Sequence, residues 1–195
     1  MTPTVFVVFL VMEKEIVLNE AIQMLKEHGY KGLTMDKLAL TLKTSKKRLY
    51  DQFEDKEHLV LEALVNEFNT MYSELDLIRT NLAYDANDRL RASLWLITRR
   101  AMECSQQLVS DLTRSPQLEE VFWQHVDVLG KLLSDYYLQT SAKLNRVLLA
   151  SFFGILINTL RKHDHGIDHV SFLEETVEFY TYAWLQMSND LKRAS

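Results

Sequence analysis

Apolar residues recur along this chain at three- and four-residue intervals, the period of α-helices rather than the alternation of strands. Met35, Leu38, Ala39 and Leu42 form one such run, Leu49, Tyr50 and Phe53 a second, and Leu59, Ala63 and Leu64 a third. Thr34, Ser45 and Asp55 stand just before these runs, and each can accept a hydrogen bond from a free helix-start amide. The spacing predicts two helices of one to two turns and then a longer one. They follow a helix over 13–28 that Gly29 is placed to close. Helices shorter than about 12–15 residues are marginal alone, so the short pair must dock on its neighbours in a compact three-helix head. From Lys56 onward the pattern predicts about five longer helices. Breaks fall at 83–87 (with Asp85 a candidate cap), at Ser115-Pro116, at 139–141 and at 163–168. With only five glycines and two prolines to interrupt it, the chain is expected to be all-α.

The last two expected helices carry the clearest packing signal. Leu173, Val177, Tyr180, Trp184, Met187 and Leu191 follow one another at steps of four and three, a narrow seam like that of a coiled coil. In 147–160 only Ser151, Gly154, Asn158 and Thr159 are not apolar, and Ala150-x-x-x-Gly154 would allow close approach. Such helices need neighbours on several faces, within the chain or on a partner. A membrane span is disfavoured, because the segment is shorter than the ~20 residues required and runs straight into Arg161-Lys162-His163-Asp164.

The chain has 195 residues and is 47% hydrophobic, enough for a substantial core in one large or two small domains. One cysteine, Cys104, excludes an internal disulfide framework and fits a reducing cytoplasm. Val5 to Met12 is continuously apolar, but no basic residue precedes it and no small-residue cleavage site follows. Residues 1–11 are therefore read as an extended or non-native N-terminus, with Met12 a natural start.

Charge is distributed unevenly. Between 31 and 48 six basic residues (Lys31, Lys37, Lys43, Lys46, Lys47, Arg48) face one acid, Asp36, a net of +5 in a chain whose total is −5. An acidic protein with one basic patch suggests a localised DNA contact, and a short helix preceding a basic one is how small domains present side chains to the major groove.

At these residues the chain resembles the tetracycline-repressor (TetR) type of bacterial transcriptional regulator. The likeness covers roughly 14–64 and is strongest in Leu49-Tyr50-x-x-Phe53-x-x-Lys56-x-x-Leu59. It implies a homodimeric repressor with a helix-turn-helix head over 12–57. A divergent helical domain over 58–195 would bind an unknown small-molecule effector and dimerise. Carried over by position, Thr34, Tyr50 and Lys56 are expected to touch phosphates. Ser45, Lys46, Lys47 and Arg48 would open the recognition helix, with Gln52 a further contact. Two positions depart from the family pattern: Lys43 stands where the turn usually has glycine, and Arg48 where a small residue or threonine is usual. The operator sequence therefore cannot be borrowed. The resemblance also favours a four-helix dimer interface built from Leu148, Phe152, Ile155, Leu173, Val177, Tyr180, Trp184 and Met187.

Phe68, Tyr72, Trp95, Met102, Phe122, Trp123 and Tyr137 are bulky enough to line an effector pocket, with Arg99, Arg100 or His125 to anchor an acidic ligand. The same aromatics at helical spacing equally suit a packed core. No cofactor or metal is expected, and no Gly-rich phosphate loop, HExxH or nucleophile motif points to an enzyme. His163-Asp164-His165-Gly166-Ile167-Asp168-His169 is the one cluster with metal-ligand chemistry, and it supports the alternative of a helical metalloprotein. A helical adaptor whose basic turn binds an acidic protein is a third reading.

Overall fold

The computed structural model of the protein describes residues 3–112, 116–133, 142–161 and 169–194. Among them are nine helices and no strand: α1 (Pro3–Gly32), α2 (Met35–Thr41), α3 (Lys46–Tyr50), α4 (Lys56–Thr80), α5 (Ala86–Met102), α6 (Gln106–Leu112), α7 (Pro116–Leu133), α8 (Ala142–Arg161) and α9 (His169–Ala194). None of the described helices is long and apolar enough to cross a membrane. The chain forms two compact units, one of Met1–Thr70 with Cys104–Leu118, the other of Met71–Glu103 with Glu119–Ser195. Tyr137 and residues 163–168 lie outside the described residues, and His169 opens α9.

In the first unit, Ala21, Leu25, Leu33, Leu38, Phe53, Leu59, Val60 and Ala63 are completely buried, and Leu49 nearly so. Leu38, Leu49, Phe53, Leu59 and Ala63 are positions of the periodic runs, and α1, α2, α3 and the start of α4 close around this set. The expected head is thus present, but it also includes 58–70 and 104–118, which the sequence boundary at 57 assigned to the second domain. The addition has a local cause at Gly29, whose φ of 69° and ψ of −178° break the helical path of α1. That conformation belongs essentially to glycine. It turns the Tyr30 amide towards α6, where it donates to Asp111 Oδ2 at 2.8 Å. Gln107 Nε2 donates to the other oxygen of Asp111 at 2.9 Å, and the Ser105 amide donates to the Lys26 carbonyl at 2.6 Å. On the neighbouring side Lys26, 5% exposed, pairs with Glu67 of α4 at 2.7 Å. Short α6 is therefore held to the end of α1 by polar bonds, a connection that apolar periodicity does not encode.

The second unit packs α5 against α8 and α9, and α8 against α9. Leu90, Leu94, Leu129, Leu149, Phe152, Val177 and Trp184 have no exposed surface. The start of α5 is a capping box: the Asp85 carboxylate accepts from the Asp88 amide at 2.8 Å, and Asp88 returns the bond to the Asp85 amide. α7 starts at Pro116, as the Ser-Pro signal predicts. Leu148, Phe152, Leu173, Val177, Tyr180 and Trp184, expected at a dimer interface, are buried within the chain itself, with Tyr180 donating to or accepting from Ser151 Oγ at 2.6 Å. Phe152 and Tyr180 meet edge-on at 5.2 Å. The α9 seam from Leu173 to Trp184 is therefore intrachain core, and of the eight expected interface residues Met187 is exposed and Ile155 half-buried. Apolar side chains that do face solvent lie elsewhere: Phe172, Phe179 and Tyr182 share another face of α9, and Val147 is exposed on α8.

Within this unit Tyr72 of α4 hydrogen-bonds His125 Nδ1 of α7. Burial disfavours both charged forms, pushing the Tyr72 phenol up to about 12 and the His125 imidazole down to about 4. The pair is neutral at ordinary pH.

Two stability outcomes follow. At Gly29 an added Cβ would collide with Gln107 and come within 2.8 Å of Asp111 Oδ2, in a backbone region closed to other residues. Gly29→Ala should cost at least about 2 kcal/mol in a denaturant titration; an unchanged midpoint would contradict the tight docking of α6. His125 takes up a proton more readily unfolded than folded. Its contribution to stability is thus intact above about pH 6.5 and lost progressively as pH falls towards about 4. His125→Gln should flatten the fall of the thermal midpoint across that window, and a slope identical to the parent's would show that another group is responsible.

Candidate nucleic-acid interface

The basic turn is built by two caps and one strained residue. Thr34, in extended conformation, accepts the Lys37 amide on its hydroxyl at 3.2 Å and starts α2. At the other end the Thr44 amide donates to the Ala39 carbonyl at 2.9 Å and the Lys43 amide to the Leu40 carbonyl at 3.1 Å. Those two bonds define a Schellman ending, which requires a left-handed residue between them. That residue is Lys43, with φ 51°. Its Cβ makes this conformation cost about 1 kcal/mol relative to glycine, as the departure at this position predicts. Ser45 then accepts the Arg48 amide at 3.2 Å and starts α3.

With only five residues in α3, Leu49 is its one buried side chain, and Phe53 follows it into the core. Lys46, Lys47, Arg48 and Tyr50 consequently face solvent, while Thr34 at the start of α2 is half-buried. Lys46 Nζ lies 2.6 Å from Asp36 Oδ1, across the turn on α2. Hydrogen bonding to that carboxylate holds the ammonium above its ordinary pKa. No sequence pattern signals this pairing, which depends on how the turn folds back.

Two expected DNA contacts are placed differently. Gln52 is half-buried and lines a cleft with Ile16, Val17, Leu42, Thr44, Arg48 and Leu49; its Oε1 is buried without a hydrogen-bond partner. Lys56 donates to the Tyr30 carbonyl at 2.6 Å and sits 4.0 Å from the centre of the Tyr30 ring. A cation is favoured there, where the kink at Gly29 interrupts the helical bonding of α1 and leaves carbonyls open. Burial lowers the Lys56 pKa, and nearby Asp111 opposes the shift. Lys56 therefore fastens α4 to the end of α1, a role the expectation of a phosphate contact did not foresee.

The bulky residues suggested for an effector site occur in both units. Phe68 belongs to the first unit, and Tyr72, Trp95, Arg99, Met102, Phe122 and Trp123 to the second. Phe122 makes edge-on contacts with Trp123 and Phe153, both at 5.3 Å. Arg100 pairs with Glu74, and Arg99 lies 3.7 Å from the same carboxylate. Met102 and Trp123 are exposed. His125, neutral and bonded to Tyr72, is poorly suited to bind an anion.

Residues 17–63 match the family model for bacterial regulatory proteins of the tetR family. No curated protein matches the chain in sequence. A transcriptional regulator from Cytophaga hutchinsonii shares its fold with a TM-score of 0.70 and 21% identity, over 88% of this chain and 96% of that one. A TetR transcriptional regulator from Legionella pneumophila gives 0.67 at 15% identity, over 86% and 95%. The fatty acid degradation regulator FadR from Bacillus halodurans gives 0.61 at 17%, over 87% and 94%. At such identities the likeness is one of fold, and it extends well beyond the head. The family match itself spans the capped helix pair, its basic turn and the start of α4. The likeness to the tetR family of bacterial regulatory proteins is thus carried by this N-terminal segment.

Proposed function

We propose that this protein is a homodimeric, DNA-binding regulator of transcription, a cytoplasmic repressor of a palindromic operator that a small-molecule effector releases. The observation that carries the DNA-binding part is the cluster Lys46, Lys47 and Arg48, exposed at the start of a capped helix whose opposite face is anchored by Leu49. Phosphate contacts position such a head, and side chains at the helix start read base edges. Thr34 and Tyr50 suit the first task, Arg48 the second. Repression and release rest on the family. Release requires an effector that binds the conformation with low DNA affinity more tightly than the other.

Dimerisation is supported by Val147, Phe172, Phe179 and Tyr182, which the chain leaves exposed. On α8, Gly154 has open space where a side chain would stand, so a second copy could approach closely. A twofold axis would present two α3 helices to half-sites about 34–36 Å apart. Phe179→Glu with Tyr182→Glu should convert the dimer to monomer in sedimentation at micromolar protein; a parent chain that is already monomeric would refute the dimer.

The direct test is binding to duplex from upstream of the protein's own gene, against random duplex, over a salt series. Discrimination of at least ~10³ with a steep salt slope is expected of a specific regulator. Arg48→Ala should remove about 1–3 kcal/mol of preference for the favoured sequence while leaving random-duplex affinity nearly unchanged. Equal weakening on both duplexes would reassign Arg48 to a phosphate contact.

A further inference from the structure

Asp36 is the only acid among the six basic residues of 31–48. It lies two residues beyond the Thr34 cap, in the first turn of α2, where a carboxylate is welcome at a helix start. That alone would explain an acid here. Yet the side chain does not simply face water: its Oδ1 meets Lys46 Nζ of α3 at 2.6 Å, although the two side chains are 74% and 48% exposed. The raised pKa of Lys46, caused first by this hydrogen bond, agrees with the geometry. Exposed ion pairs contribute little to stability, so the fold does not require this one. Its effect falls on the lysine that begins α3.

We propose that Asp36 is a positioning residue that holds Lys46 against α2 and thereby lowers affinity for DNA of arbitrary sequence, sharpening discrimination. The inference rests on the DNA-binding reading of this head. A lysine free to meet a phosphate adds close to one unit to the salt slope through counterion release. Lys46 arrives instead with its charge already compensated by Asp36. On random duplex the exchange of carboxylate for phosphate gains almost nothing. A favoured sequence differs, because a directional acceptor such as a guanine edge in the major groove offers Lys46 a better partner than Asp36.

Four proteins separate the possibilities: the parent chain, Asp36→Asn, Lys46→Gln and the double variant. Each is measured on random-sequence duplex and on duplex from upstream of its own gene, across a salt series. Asp36→Asn should tighten random-duplex binding about 3–10-fold at low salt, steepen its slope by about 0.9, and improve the upstream duplex less. With Lys46→Gln already present, Asp36→Asn should have little effect. If it tightened binding equally in that background, Asp36 would act only through net charge and the inference would be overturned. Unchanged random-duplex affinity in Asp36→Asn would overturn it as well. In either case a parent chain that discriminates leaves the regulator reading standing. A parent chain that binds neither duplex overturns both. Unchanged thermal midpoints in all four proteins exclude unfolding as a cause.

Discussion

The head depends on the point where α1 stops. Gly29 carries the chain through a backbone conformation that other residues avoid, and three helices meet at the resulting corner. The Tyr30 amide is directed to Asp111 of α6, the Tyr30 carbonyl to Lys56 of α4, and the Lys26 carbonyl to Ser105. These bonds satisfy groups that every helix end leaves open. They use them to fix neighbouring helices rather than releasing them to solvent. The buried Lys26–Glu67 pair joins α1 to α4 nearby. Its value lies in geometry more than in energy, because losing either partner would leave an uncompensated charge in a sparsely hydrated place.

Much of this architecture is legible in sequence because its signals are local. Thr34, Ser45 and Asp85 are caps recognisable from their type and the apolar run that follows, and Pro116 marks a helix start for the same reason. The left-handed turn at Lys43 follows from its position between two capped helices. What local signals cannot give is the partner of each surface. The seam from Leu173 to Trp184 has the spacing of an interface between helices, and it is one, but the facing helices belong to the same chain. Periodicity identifies an apolar face without saying what covers it. Phe179 and Tyr182, which lie off the seam, are among the residues left uncovered.

Polar residues show the same division. Lys46, Lys47, Arg48 and Tyr50 are exposed because the helix bearing them is too short to bury more than one face. Lys56 and Gln52, four residues apart, are both polar but differ in surroundings: one is bound to a carbonyl and a ring, the other lines a cleft with Leu42, Arg48 and Leu49. Helix α6 leaves no clear mark in the sequence, because seven residues give too little periodicity to detect. Its place is set by the Tyr30–Asp111 bond together with two buried apolar residues, Leu108 and Val109.

The brevity of α3 also bears on how such a protein can change over time. Its placement comes from Ser45, Leu49 and Phe53, none of which is among the exposed cations. Lys46, Lys47 and Arg48 can therefore be exchanged with little effect on the core. In the proposed DNA-binding role, recognition and folding would draw on separate residues within a single helical turn, so the exposed surface can change towards new partners without disturbing the scaffold.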